Sequence, residues 1–355
     1  MKKKLKIDFA DFSEGFEKES NYFFALLSSQ YDVEITDSPD FLIYSVFGLD
    51  YLNYDCIRIL YTGENRRPNF DECDYAFSFD FSDDKRNFRL PFYSYFCDTS
   101  VLTRPKPDPD TILKGKTGFC NMVTSNPMGK DRATFFHKLS DYKRVDSGGK
   151  YLNNVGGPVA DKMAFIKNYK FSIAFENSCY PGYTTEKIVE AMTAHTIPIY
   201  WGNPLVQRDF NTKSFVNCHD YANFDEVVRR IKEIDNDDGL YRSYMEEPYF
   251  VDNIPNEFTD TVRVLKQFEF IFENKGNIIP VAQQDRRHSE ALVATINELT
   301  NEIERLEHER RESAGPGFSE LDKAIGKAKS ELIHSMNKLE ELMRRMERKR
   351  LSSGL

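Results

Sequence analysis

The stretch from Tyr169 to Pro204 constrains the fold of this chain more than any other. It opens on an apolar run, Tyr169-Lys-Phe-Ser-Ile-Ala-Phe-Glu-Asn177, and passes through a polar loop, Ser178-Cys-Tyr-Pro-Gly-Tyr183. An amphipathic segment from Thr185 to Ala194 follows, then a second apolar run, Ile197-Pro-Ile-Tyr-Trp201, ahead of Gly202-Asn-Pro204. This reads as strand, loop, helix, strand. In open α/β sheets the loop at the carboxyl end of the first strand is where ligands bind.

The same alternation runs through most of the sequence. Leu5–Phe9, Phe41–Phe47, Ile57–Thr62 and Tyr75–Phe81 read as strands, with a helix over Lys18–Gln30. A proline-rich stretch, Arg104-Pro-Lys-Pro-Asp-Pro-Asp110, is expected to exclude helix and central strand and to act as a linker. Beyond it, Gly118–Ser125, Phe171–Glu176, Ile197–Trp201 and Ser214–Cys218 read as strands. Helices fall near Arg132–Leu139, Lys162–Tyr169, Thr185–Ala194 and Phe224–Ile234. The expected fold is α/β, with two Rossmann-like domains, residues 1–110 and 111–282, facing across a cleft.

Residues 283–355 differ in kind. They carry 14 Lys or Arg and 14 Asp or Glu, with Phe318 their one aromatic residue. Apolar residues fall at Leu292, Ile296, Leu299, Ile303 and Leu306, then after Gly315-Pro316-Gly317 at Phe318, Leu321, Ile325, Ala328, Leu332, Leu339, Leu342 and Met346. That spacing predicts two helices paired as a hairpin or coiled coil, with arms of about 23 and about 33 residues. Unequal arms would leave the seam around Leu339, Leu342 and Met346 bare, so self-association through this tail is expected. A native oligomerisation segment and an appended fusion both fit the pattern.

Charge and composition exclude several classes. A net charge of -9 argues against nucleic-acid binding, which needs a basic face, so a phosphate ligand must be held locally. No run approaches the roughly 18 uncharged apolar residues of a membrane span, and the start MKKKLKIDFADF lacks an apolar signal core. The six cysteines, Cys56, Cys73, Cys97, Cys120, Cys179 and Cys218, form no CxxC pair and are expected to be buried thiols. The acidic pairs Asp83-Asp84 and Asp108-Pro-Asp110 have spacings common by chance, and no metal role is assigned to them.

Three loops carry residues suited to chemistry. Thr184 or Thr185 is a natural helix N-cap, which puts Glu186 and Lys187 in the first turn. A lysine there opposes the helix dipole, so an anion such as a diphosphate is expected in front of it. Glu64, in Tyr61-Thr-Gly-Glu-Asn65, ends an apolar strand and is placed to act as a general base. Arg132, in Thr124-Ser-Asn-Pro-Met-Gly-Lys-Asp-Arg132, sits near another helix start, and its guanidinium matches phosphate oxygens.

The block from Phe175-Glu-Asn177 through Tyr183-Thr-Thr-Glu-Lys187 to Ile197-Pro-Ile-Tyr-Trp-Gly202-Asn-Pro204 resembles the signature of the α1,3-fucosyltransferases of glycosyltransferase family 10. Tyr61-Thr-Gly-Glu-Asn65 resembles their second motif, and the resemblance is to the soluble, Helicobacter-like bacterial type, from about Leu5 to about Asn274. It implies a GT-B fold, with an N-terminal acceptor domain and a C-terminal GDP-fucose domain. The implied reaction is inverting transfer of L-fucose to N-acetylglucosamine or glucose in a β-galactoside. By motif, Glu64 is the implied base, Arg132 and Lys187 the diphosphate clamp, and Asn177, Tyr183 and Glu186 nucleotide-sugar contacts, with Glu176 joining them.

No obligatory metal or cofactor is expected beyond GDP-fucose as donor, a divalent ion being at most stimulatory. The expected partners are that donor and an oligosaccharide acceptor, and the expected location is cytoplasmic or peripheral at the inner membrane. Some members carry heptads followed by a basic amphipathic tail, whereas this tail is charge-balanced. Two other readings stand beside this one: a GT-B enzyme using a different nucleotide sugar, and a non-catalytic glycan-binding scaffold.

Overall fold

A computed structural model describes residues 2–312 and 318–351. The chain divides into two compact units, one comprising Met1–Tyr61, Asn69–Tyr75 and Ile271–Leu355, the other Thr62–Pro68 and Ala76–Phe270.

In the first unit, β1 (Lys3–Ala10), β2 (Tyr31–Ile35), β3 (Phe41–Tyr44) and β4 (Ile57–Tyr61) run parallel in the order β2-β1-β3-β4. Phe41–Tyr44 and Ile57–Tyr61 are buried at every position, as expected of parallel strands covered on both faces. The helix Tyr22–Ser28 is shorter than the predicted Lys18–Gln30 because Asn21 caps it, its side chain accepting from Phe24 N.

The tail belongs to this unit and forms two packed helices, Val281–Glu312 and Phe318–Leu351. Ile303, Leu306, Ile325 and Ala328 are buried, and the ion pairs Arg310–Asp322 (2.9 Å) and Lys329–Glu307 (2.7 Å) flank them. The arms are 32 and 34 residues, not about 23 and 33, so the argument from unequal lengths fails. The first arm starts early because Val281 N donates to Asp74 Oδ1 at 2.8 Å and Gln283 Nε2 donates to Asp55 O at 2.7 Å. Those polar anchors leave no apolar periodicity. The predicted turn at Gly315-Pro316-Gly317, and the side chains of Leu342 and Met346, lie outside the described residues.

β5 (Tyr75–Ser78), in the second unit from Ala76 onward, pairs in parallel with β6 (Asn87–Arg89) through Ala76↔Asn87, Phe77↔Phe88 and Ser78↔Arg89. A five-stranded parallel sheet is built from β7 (Gly118–Met122), β8 (Val145–Ser147), β9 (Tyr169–Phe175), β10 (Ile197–Trp201) and β11 (Val216–Asn217), in the order β11-β10-β9-β7-β8. Helices Lys130–Ser140, Lys162–Lys167 and Glu186–Thr193 connect its strands, and Phe224–Asn236 follows the last of them. Alternation along β9 feeds two cores: Phe171, Ile173 and Phe175 join Phe135, Val227 and Ile231, while Ala174 joins Ile188, Met192 and Phe210. Strand order reverses between β7 and β9, so the carboxyl ends of those two strands form the topological switch point where such sheets bind ligands.

Part of the proline-rich stretch is helical, contrary to expectation. Pro109–Lys114 forms a short helix with Pro109 in its first turn, where a missing N–H costs nothing, and Asp108 caps it by accepting from Thr111 N. All six cysteines are free, but Cys179 is exposed while Cys73, Cys120 and Cys218 are buried. Among the described residues no helix is long and apolar enough to cross a membrane.

Candidate active site

A pocket of about 420 Å³ opens at that switch point. From the carboxyl end of β7 come Val123, Thr124, Ser125 and Asn126; from beyond β9 come Asn177, Tyr183, Thr185, Glu186 and Lys187. Arg132, Lys162, Phe92 and the loop residues Gly63 and Glu64 complete the lining, and every one of these residues belongs to the second unit. Six of the seven residues singled out in the sequence therefore share one lining, and the seventh, Glu176, is buried behind it.

Local backbone chemistry sets each position. Gly129 precedes the Lys130–Ser140 helix at φ +108°, a left-handed conformation that favours glycine, and a Cβ there would press on Asn177 O at 3.3 Å. Arg132 follows in the first turn, 2% exposed, donating to Thr124 Oγ1 (2.7 Å), Asn126 O (3.2 Å) and Phe175 O (3.0 Å). Its guanidinium thus braces the ends of β7 and β9 together. Gly63 is packed by the Phe92 ring, which a Cβ would meet at 2.3 Å, and Glu64 beyond it is exposed. An exposed carboxylate in the lining suits a group that must meet a second substrate.

Glu176 is completely buried, accepting from Thr185 N and Thr185 Oγ1, both at 2.7 Å, and from Lys187 Nζ at 3.1 Å. Lys187 also donates to Thr185 Oγ1 at 2.7 Å and pairs with Glu186 Oε1 at 3.3 Å. Its first-turn position therefore does not by itself demand an external anion, since two carboxylates of the chain already compensate it. Thr185 is the N-cap; its side chain caps no helix N–H, and its own N–H donates to Glu176. Glu176 is in turn locked by Gly202 at φ +154°, where a Cβ would lie 2.4 Å from Glu176 Cγ.

Protonation follows from this arrangement. Burial pushes the Glu176 carboxyl up from its ordinary range, with Lys187 pulling the other way. Burial lowers the Lys187 ammonium, but Glu176 and Glu186 outweigh it and hold it above its usual value. Burial raises Glu186, yet Lys187 and then Lys162 overcome this and keep it low. Arg132 is lowered by burial, with Glu176 opposing. The Tyr183 phenol is pushed well up by burial and by neighbouring Glu176.

Lys162 is the lining cation that sequence reasoning missed. It sits at the start of the Lys162–Lys167 helix and pairs with Glu190 at 2.5 Å, and no local pattern separates it from a surface lysine. The acidic pairs are structural: Asp84 binds Arg86, Asp108 caps its helix, and Asp110 pairs with Arg242. Among the described residues no group of three or more His, Cys, Asp or Glu is placed to hold a metal.

Residues 7–96 match the Alpha-(1,3)-fucosyltransferase FucT N-terminal domain, and residues 113–257 match the glycosyltransferase family 10 (fucosyltransferase) C-terminal domain. The Alpha-(1,3)-fucosyltransferase FucT of Helicobacter pylori is 33% identical over 308 residues, covering 73% of this chain and 63% of that protein. A putative fucosyltransferase of Acanthamoeba polyphaga mimivirus is 29% identical over 230 residues, covering 61% of this chain and 37% of that one. The chain thus spans less than two thirds of the length of both. A crystal structure of alpha1,3-fucosyltransferase with GDP-fucose superposes with a TM-score of 0.65 at 30% identity, over 77% of this chain and 92% of that one. Its complex with GDP gives 0.66 at 30% identity, over 78% and 92%.

Proposed function

The chain belongs to glycosyltransferase family 10 and has its GT-B fold, and on that premise we propose that it is an inverting α1,3-fucosyltransferase. It moves L-fucose from GDP-fucose to the N-acetylglucosamine or glucose of a β-galactoside. The observation that carries this reading is the single lining shared by Glu64, Arg132 and Lys187. A carboxylate able to take a proton and cations able to hold a leaving diphosphate are what this chemistry needs.

In the proposed reaction the acceptor hydroxyl gives its proton to Glu64 as its oxygen bonds to the fucose anomeric carbon. The bond from that carbon to the phosphate oxygen breaks on the opposite side, and the electron pair leaves with GDP. Arg132 and Lys187 neutralise the departing charge. Arg132 is already braced for this by its bonds to Thr124, Asn126 and Phe175. Lys187 exchanges carboxylate for phosphate oxygens, and Lys162 adds a third positive charge to the lining.

Asn177, Tyr183 and Glu186 contact the nucleotide sugar, while Glu176 acts from behind by holding Thr185 and Lys187. Residues 1–110 are assigned to the acceptor, 111–282 to the donor and 283–355 to self-association. The exposed Ile333, Met336 and Met343 of the second tail helix are apolar surface that a second copy would cover. The proposed location is cytoplasmic or peripheral at the inner membrane.

Product analysis with GDP-fucose against lactose, N-acetyllactosamine and the β1,3-linked isomer tests the reading. Fucose on O3 of glucose or N-acetylglucosamine in the first two supports it. Transfer only from another nucleotide sugar, or to no acceptor, refutes it.

A further inference from the structure

The loop Tyr180–Thr185 lines the pocket with Tyr183 and Thr185, and side chains far away in sequence fasten its other side. Arg89 and Asp209, 120 positions apart, form a buried bidentate ion pair, Nη1 to Oδ1 at 2.8 Å and Nη2 to Oδ2 at 3.0 Å. Arg89 Nη2 also donates to Gly182 O at 3.0 Å. Thr184 Oγ1 donates to Asp209 Oδ2 at 2.8 Å.

Asn203 closes the arrangement. Its Nδ2 donates to Thr184 Oγ1 (3.0 Å) and Asp209 Oδ2 (3.1 Å), and its Oδ1 accepts from Gly182 N (2.7 Å). Tyr200 OH accepts from Asn203 N at 3.0 Å and donates to Tyr183 O at 3.4 Å. Three consecutive loop residues, Gly182, Tyr183 and Thr184, are therefore each held by this network. Tyr93 OH, donating to Asp209 Oδ1 at 3.1 Å, and Asn256, donating to Tyr93 OH at 3.1 Å, secure Asp209 from behind. The Arg89 guanidinium is further fixed over the rings of Phe81 (4.2 Å) and Phe258 (4.1 Å).

We propose that the Arg89–Asp209 pair, acting through Thr184 and Asn203, positions the donor loop for transfer. This role rests on the nucleotide-sugar reading of the pocket. A buried ion pair is weak evidence for stability, because apolar residues of equal volume often stabilise as well. What it supplies is direction: each bond ends on a chosen loop atom, and Gly182 could not move without breaking bonds at both its N–H and its C=O. Gly182 itself, at φ +89° with Phe79 O 2.4 Å from a would-be Cβ, leaves the loop one seating. Tyr183 and Thr185 take their places in the lining from that seating.

Thr184→Val keeps the volume and the ion pair but removes the direct Thr184 bonds to Asp209 and Asn203, and Asp209→Asn weakens the pair itself. Both are compared with the wild-type chain for unfolding midpoint, for kcat and KM toward GDP-fucose and acceptor separately, and for amide hydrogen exchange at Tyr180–Thr185. Thr184→Val is expected to unfold near the wild-type midpoint, to exchange faster at those amides, and to lose about 10-fold or more in kcat/KM for GDP-fucose with an unchanged acceptor KM. Folded Thr184→Val with unaltered exchange and unaltered donor kinetics overturns the proposal, whether or not Asp209→Asn folds. A wild-type chain that does not turn over GDP-fucose sinks the functional reading instead, and the exchange comparison still decides whether the network seats the loop.

Discussion

The Lys187 ammonium lies 3.1 Å from Glu176 Oε2 and 3.3 Å from Glu186 Oε1. Lys187→Ala removes that cation and leaves a fully buried carboxylate behind. Removing one partner of a buried pair costs about 3–5 kcal/mol. Lys187 is 23% exposed and Thr185 keeps its two 2.7 Å bonds to Glu176, so the lower end, about 3 kcal/mol, is expected at neutral pH.

The loss depends on pH with a definite sign. Glu176 already holds its proton more tightly than an ordinary carboxyl because of burial, and loss of Lys187 raises it further. From about pH 4.3 upward the folded variant then binds a proton that the unfolded chain has released, so its stability falls as pH rises through that window. Urea unfolding at about pH 5 and about pH 8 reads this, with the deficit larger at the higher pH. Adding Glu176→Gln to Lys187→Ala removes the stranded charge and should restore most of the stability while leaving GDP affinity low. A single variant as stable as wild type at both pH values, or a double variant no more stable than the single, would refute the electrostatic account.

Other outcomes are expected. Glu64→Gln keeps the fold and GDP binding but loses about 10²-fold or more in transfer, the usual scale for a lost base, and near-normal turnover would exclude Glu64 from that role. Arg132→Ala weakens GDP binding by about 1.5–3 kcal/mol in calorimetry, because the diphosphate is left under-compensated. Lys116 is held by Lys167 O, Ala194 O and Thr196 Oγ1, and burial pulls its ammonium down to about 7. The folded chain binds fewer protons there than the unfolded one, so stability rises from pH 7 to about 10.4, and Lys116→Met should flatten that slope. Truncation near Val281 should turn a self-associating chain into a monomer in light scattering while transfer persists, since every proposed site residue precedes the cut.

What the sequence made legible follows its physics. Buried parallel strands such as Phe41–Tyr44 and Ile197–Trp201 are continuous apolar runs and are readable at once. β6, Asn87-Phe-Arg89, carries no such run because its Asn87 and Arg89 are buried for their hydrogen bonds to Ser78 and Asp209. β2 alternates Tyr, Val and Ile with Asp and Glu over five residues, four half-buried and Asp32 exposed, too short to stand out. The nearness of Glu64, Arg132, Glu186 and Lys187 to one lining is legible because strand ends and helix starts place them locally, whereas Asn177 and Tyr183 come from the family resemblance alone. From its first-turn position alone Lys187 reads as needing an external anion, whereas Glu176, 11 residues earlier across the loop, and Glu186 already compensate it. The Arg89–Asp209 network had no local signal, since its members meet only through the fold.

The most direct test of the central claim is the anomeric configuration of the product, followed by NMR during reaction with GDP-fucose and N-acetyllactosamine. A general base at Glu64 opposite a diphosphate held by Arg132 and Lys187 predicts one GDP released per fucose transferred and a product linkage of configuration opposite to the donor's. Retention of the donor configuration, or GDP release without transfer to the acceptor, would contradict it.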